Sequence, residues 1–370
     1  MNLPFPFGFS TPTALYLSFY VLTLALHFAF MGYTLAGAAL LAVRALLGRA
    51  KPPPGTLAHL VQDWLPFGLG LAITAGVAPL LFLQLCYEHA FYTANLLLFH
   101  RWMLIVPLLG FGFYLLYVLK SGLGTRHEWL WRSAAAGAFL CFLFVGWSWT
   151  ENHLLSQDNA QWVEFYGSGA RFYRSGGILP RLGFWICLSG VVLASWLAWQ
   201  LRFEESRGPT DAHLHRQTCA LGLASTLLAV LTALLQAALH PELGAAARSA
   251  VASPYSYLAA IGTLSVVAGW VVQWWQETSS KLSLVLTSAG TTALLLGVVV
   301  VREALRLQNS DLQALQRVTE QASDAGGLPA FCVFLVINGT LVAFALHSAV
   351  EAVRRPQPSE RKALSSAPVD

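Results

Sequence analysis

Charged side chains are scarce in this sequence. Only 11% of its 370 residues are Asp, Glu, Lys or Arg, where a soluble domain carries about 25%. A chain this poor in charge and 56% hydrophobic does not read as a water-soluble domain. Cysteine is sparse as well. Cys86, Cys141, Cys187, Cys219 and Cys332 stand singly, with neither metal-ligand spacing nor a disulfide framework, and read as small apolar packing residues. There is no CxxC pair, nucleophile triad or glycine-rich phosphate loop; Gly122-Leu123-Gly124 lacks the pattern that would follow one. A strong internal repeat is absent too. The net charge of +4 calls for no nucleic-acid partner.

What the chain has instead is apolar length. Its hydrophobic residues form separate runs of about 20, enough for a helix to cross about 30 Å of hydrocarbon. Barrel strands would be shorter and alternating. The fold class is therefore all-α, a polytopic membrane helix bundle. About nine spans are predicted, near 13–43, 64–94, 99–119, 130–150, 181–202, 217–239, 256–276, 282–302 and 328–352. Residues 1–353 form one transmembrane domain and 354–370 a disordered cytoplasmic tail. Placing the N-terminus outside puts 14 Lys and Arg residues in inner segments and 8 in outer ones, which predicts N-out and C-in. The basic inner surface suits anionic lipid and a bacterial inner membrane. Tryptophans form two expected belts: Trp102, Trp147, Trp149 and Trp185 outside, and Trp64, Trp129, Trp131, Trp196, Trp199, Trp274 and Trp275 inside.

Polar residues within apolar runs are costly in lipid, so they are the first candidates for function. His27 sits near the middle of the first span and needs a hydrogen-bond partner or a metal. It is either a structural histidine, a haem ligand or part of a proton relay. Gln84 lies in the second span, four residues before Glu88, which on one helix stacks the two on a face. It either meets a bound group or bonds a neighbouring helix. Glu88, His89, His100, Glu151 and His153 gather at the predicted outer ends of spans, with His240 nearby. They are a candidate metal or haem cluster, or ordinary interfacial polar residues. His59, His127, His213 and His215 fall in inner loops and read as solvated. Two long outer segments, 151–180 and 303–323, either dock a partner or cap the bundle.

The order of these features resembles the large subunit of cytochrome bd quinol oxidases. His27 followed by Gly32 and Gly37 is similar to that family's haem-ligating histidine and its small-residue patch. Gly76-Val77-Ala78-Pro79, then Gln84, Cys86 and Tyr87, is similar to its second-span motifs. Gly146-Trp147-Ser148-Trp149, running on to Gln157-Asp158-Asn159, is similar to the end of its fourth span. The likeness covers roughly residues 13–202. It implies nine spans, one b-type haem near His27, quinol as a ligand and cytochrome or other membrane subunits as partners. The span 99–119 has no acidic residue, Leu179-Pro180-Arg181-Leu182-Gly183 has no histidine, and the 240–255 loop is short. Complete quinol oxidase activity is therefore not expected.

Three functions remain open: a membrane subunit of a respiratory, electron-transfer type complex; a cofactor-free membrane scaffold; and a polytopic transporter. Against the last stands the lack of paired buried carboxylates and of symmetric broken helices.

Overall fold

A computed structural model describes residues 3–48, 51–121, 127–205 and 212–354. Among the described residues there is no strand. In chain order the helices are α1 (Thr11–Leu46), α2 (Leu57–Cys86), α3 (Glu88–Leu97), α4 (Phe99–Lys120), α5 (Glu128–Leu155), α6 (Trp162–Gly167), α7 (Ile178–Glu205), α8 (Ala212–Leu239), α9 (Pro241–Arg248), α10 (Ser253–Gln276), α11 (Lys281–Gln308), α12 (Leu312–Asp324) and α13 (Gly327–Arg354). Eight of them, α1, α2, α4, α5, α7, α8, α10 and α11, are long and apolar enough to cross a membrane. The chain is a multi-pass membrane protein. The ninth expected span falls on α13, whose described stretch Gly327–Ile337 is apolar. Mid-helix Val106 is 76% exposed and Leu264 70%. Apolar side chains left uncovered within long spans face lipid.

The chain divides into two compact units, Met1–Gln316 and Arg317–Asp370. In the second, α13 exposes Val333, Phe334, Val336 and Ile337 along its own length. The loops carrying Arg49, Arg126 and Arg207, and the expected tail from residue 355, lie outside the described residues.

In the first unit α1 packs against α2, α5, α7 and α11. Its inner half, with Leu41 and Ala38, joins Val61, Leu65, Leu116, Trp131 and Leu197 in the largest apolar cluster. A second cluster joins α7, α8, α10 and α11 through Val191, Cys219, Val266 and Trp270. The α10–α11 pair is the tightest. A Cβ on Gly262 would lie 2.7 Å from Gly290 O, and one on Gly297 would lie 2.4 Å from Tyr255 O. Small residues let backbones approach this closely where no hydrophobic force drives helices together.

The expected second span, 64–94, is two helices. α2 ends at Cys86, and Tyr87 leaves helical geometry at φ −133 and ψ 33 before α3 begins. Gln84 and Glu88 therefore do not share one helix face. Two inner-side expectations also change. Trp131 is fully buried and donates to Gln62 Oε1 at 2.9 Å, so it is core rather than belt. His215 is buried beside Ser279 rather than solvated. Trp64, Trp129 and Trp275 are exposed, as an interfacial belt requires.

Candidate functional site

The ends of α2, α5, α8 and α11 meet the starts of α4 and α7 on one side of the bundle. That meeting is what spans of alternating direction give, and it is the side expected to lie outside. α5 brings Glu151 and His153 here, both almost fully buried. Residues two apart on a helix point about 200° apart, and these two face different partners.

Glu151 faces α4. Its Oε1 accepts from Arg101 Nη1 at 2.8 Å and from Trp147 Nε1 at 2.8 Å. The Arg101 guanidinium also lies over the rings of Phe144, Trp147 and Phe172, 5.0–5.6 Å from their centroids. This is a buried ion pair flanked by aromatic rings, one of them Phe172 of the 156–177 segment.

His153 faces α11. Its Nδ1 accepts from Arg306 Nη2 at 2.5 Å and from Arg302 Nη2 at 3.1 Å, so that nitrogen carries no proton. Both arginines also donate to Tyr20 Oη on α1, at 2.9 Å and 3.2 Å. The Arg306 guanidinium lies 4.8 Å over the ring of Tyr87. Tyr87 donates in turn to Glu303, whose second oxygen is buried without a hydrogen-bond partner. Burial and the Glu303 carboxylate hold the Tyr87 hydroxyl well above the usual tyrosine range. The break at Tyr87 thus turns that ring into the bundle.

Arg181, in the first turn of α7, completes the group. Its Nη1 is buried and has no hydrogen-bond partner. Two cavities meet at this residue. One, of about 240 Å³, is walled mainly by apolar residues of α7–α11, among them Trp185, Ala237 and Val298, with Arg181 and Arg302 at its polar end. The other, of about 180 Å³, has a mixed lining that includes Asp158, Tyr173, His240 and Glu242. Tyr173 donates to Asp158 Oδ2 at 2.9 Å, and His240 Nδ1 lies 3.2 Å from Glu242 Oε1. Chemically, this is a dense set of donors beside an apolar chamber.

The expected metal cluster is not brought together. Glu88 and His100 are exposed, His89 lies against the ring of Trp162, and Glu151 and His153 are taken by arginines. Among the described residues no three His, Cys, Asp or Glu side chains converge on one point. Gln84 is half-buried in the last turns of α2.

His27 is half-buried midway along α1. Its Nδ1 donates to the carbonyl of Ala72 on α2 at 3.0 Å. The ring packs on Gly76, where a Cβ would come within 3.0 Å of it. A carbonyl only accepts, so Nδ1 holds the proton and a neutral ring keeps its lone pair on Nε2. Metal-ligating histidines are commonly held this way, so Nε2 is the atom that would hold a metal or haem iron if one were bound. Neither of the two cavities reaches it.

Sequence reasoning singled out none of Tyr20, Arg101, Arg181, Arg302, Glu303 or Arg306 as site residues. One signal was present. Arg302 and Arg306 are four apart in a stretch that keeps its apolar period through Leu305, so the helix carries both on one face.

Comparison with known proteins returns no matching family model, no matching curated protein and no matching solved structure.

Proposed function

We propose that this membrane protein binds an amphiphile dissolved in the bilayer, at the outer ends of its helices. The observation that carries the reading is Arg181: one guanidinium, unpartnered at Nη1, lies where an apolar cavity meets a more polar one. A polar head fits between Arg181 and Arg302, and its tail fits against Trp185, Val298 and Ala237. The physical logic is that of ligand sites generally: apolar walls, with few polar groups that fix orientation. The setting we favour is a membrane subunit of an electron-transfer type complex in a bacterial inner membrane. Quinol is the amphiphile that the cytochrome bd resemblance brings with it. The test is a photoreactive tail. A lipid or quinone analogue carrying a diazirine at its chain is irradiated with the purified protein in nanodiscs. Labelled peptides from α8 and α10 support the reading. Labels spread evenly over exposed leucines such as Leu22 and Leu228, with none at the cavity, would sink it.

A second reading rests on the hydrogen bond from His27 to Ala72, which fixes the ring and leaves Nε2 free to ligate. A b-type haem held there by His27 would supply one-electron transfer chemistry. Purified protein with a Soret band that a His27→Ala variant loses supports this. Iron-free, colourless protein leaves His27 as a helix–helix contact.

A further inference from the structure

Building on the amphiphile reading above, we propose that the head held at Arg181 and Arg302 is a phosphate group on a lipid-like molecule. The argument begins with charge. The apolar cavity is lined by two guanidiniums and by no carboxylate. Arg302 makes its hydrogen bonds to neutral acceptors, Tyr20 Oη and His153 Nδ1. Arg181 Nη1 has none. Of the acids nearby, Glu303 is bonded to Tyr87 and Asp158 to Tyr173, while Glu242, itself largely exposed and 3.2 Å from His240, acts on Arg181 only at a distance, without a hydrogen bond. Glu242 and Asp158 also border the more polar cavity rather than the apolar one. A guanidinium in apolar surroundings is costly without a counter-charge. An anion in the cavity removes that cost, whereas a neutral quinol head does not.

Geometry favours phosphate among anions. The two arginines come from different helices, α7 and α11, so their planar forks approach from two directions. A tetrahedral phosphate offers oxygens to both, whereas a planar carboxylate suits a single fork. Depth agrees as well. Arg302 lies six residues before the end of α11 at Gln308, about 9 Å along the axis. That is near the boundary between headgroups and hydrocarbon. Below the arginines, Trp185, Val298 and Ala259 leave room for the upper part of one chain. Ala237 both lines the cavity and is exposed, and its neighbours Leu234 and Leu235 are exposed too. The chain therefore leaves sideways into lipid beside α8.

The test is native mass spectrometry of the full-length protein, released from nanodiscs that contain equal amounts of phosphatidic acid and phosphatidylcholine with a quinol. Preferential retention of phosphatidic acid is expected, falling about tenfold or more in Arg181→Gln and in Arg302→Gln, as befits a lost charge-assisted hydrogen bond. Arg302→Lys should keep part of it. Ala237→Trp closes the exit, leaves both arginines in place and should also lower retention. This variant keeps the test valid if an arginine variant fails to fold. Displacement of phosphatidic acid by millimolar inorganic phosphate would show a free-phosphate site and overturn the lipid-like tail. Equal retention of phosphatidylcholine, whose choline cancels the charge of its phosphate, overturns the anionic phosphate head, as does retention of the quinol alone, and either leaves the amphiphile reading intact. Failure of the tail probe to label the cavity, together with retention of none of the three, overturns both.

Discussion

Tyr20 on α1 and Arg306 near the end of α11 are joined by a hydrogen bond of 2.9 Å across 286 residues of sequence. The same phenolic oxygen accepts from Arg302. One hydroxyl thus supports two guanidiniums, and Tyr20 is almost fully buried. Replacing it with Phe keeps the ring and leaves both donors short of an acceptor. A buried unsatisfied donor costs about 1–3 kcal/mol. Tyr20→Phe is therefore expected to lower the unfolding midpoint in mild detergent. A midpoint equal to the parent's would show that water replaces the hydroxyl.

The Arg101–Glu151 pair makes a different prediction, because two charges are buried together. Arg101 is 8% exposed and Glu151 1%. Removing one member leaves the other uncompensated, at a cost of about 3–5 kcal/mol. Arg101→Met and Glu151→Leu should each be strongly destabilising. The double variant should recover much of the loss, since apolar replacement of a whole buried pair is often neutral. Chemical unfolding of all four proteins gives the coupling. Losses that simply add would mean that the pair is not a unit.

Tyr173 supplies a pH test. Burial and the hydrogen bond to Asp158 raise its pKa above the ordinary value of 10.0. The folded state thus holds the phenolic proton more tightly than the unfolded chain. The resulting stabilisation is fully present below pH 10 and is lost as pH rises towards the folded value. Thermal midpoints measured from pH 8 to pH 11 should fall at the alkaline end. In Tyr173→Phe that part of the fall should be absent. An unchanged alkaline fall in the variant would assign it to other groups.

The spans were legible because hydropathy over about 20 residues is a property of the local sequence. The same is true of the α10–α11 glycines, although nothing local says which helix they meet. The break at Tyr87 was not legible: Cys86-Tyr87-Glu88 contains neither glycine nor proline, and the residue is drawn out of the helix by partners on α11. The arginine group was hidden for a related reason. Arg181, Arg302 and Arg306 stand at the edges of apolar runs, where loop charge and buried charge look alike. His153, the common partner of Arg302 and Arg306, lies more than 140 residues from either. The candidate metal cluster was left open beside ordinary interfacial polar residues, and helix geometry alone already separates two of its members, since Glu151 and His153, two apart, point about 200° apart.

Gly290 makes the last prediction, because the direction of a glycine-to-alanine change depends on what the new methyl meets. In an open helix position such a change stabilises, by about 0.5–1 kcal/mol. Gly110 on α4 is such a position, with nothing within 4 Å of an added Cβ. At Gly290 the methyl would lie 2.7 Å from Gly262 O and 2.8 Å from Val266 N. Both are backbone atoms of α10, so no side chain can swing away and the helices must separate. Overpacking of this kind costs about 1–3 kcal/mol. Gly110→Ala is thus expected to hold or raise the unfolding midpoint, and Gly290→Ala to lower it. Separation at Gly290 also moves α11, which carries Arg302 into the outer cavity, so retention of phosphatidic acid should weaken in the same variant. A Gly290→Ala protein as stable as Gly110→Ala would mean that α10 and α11 are not in backbone contact.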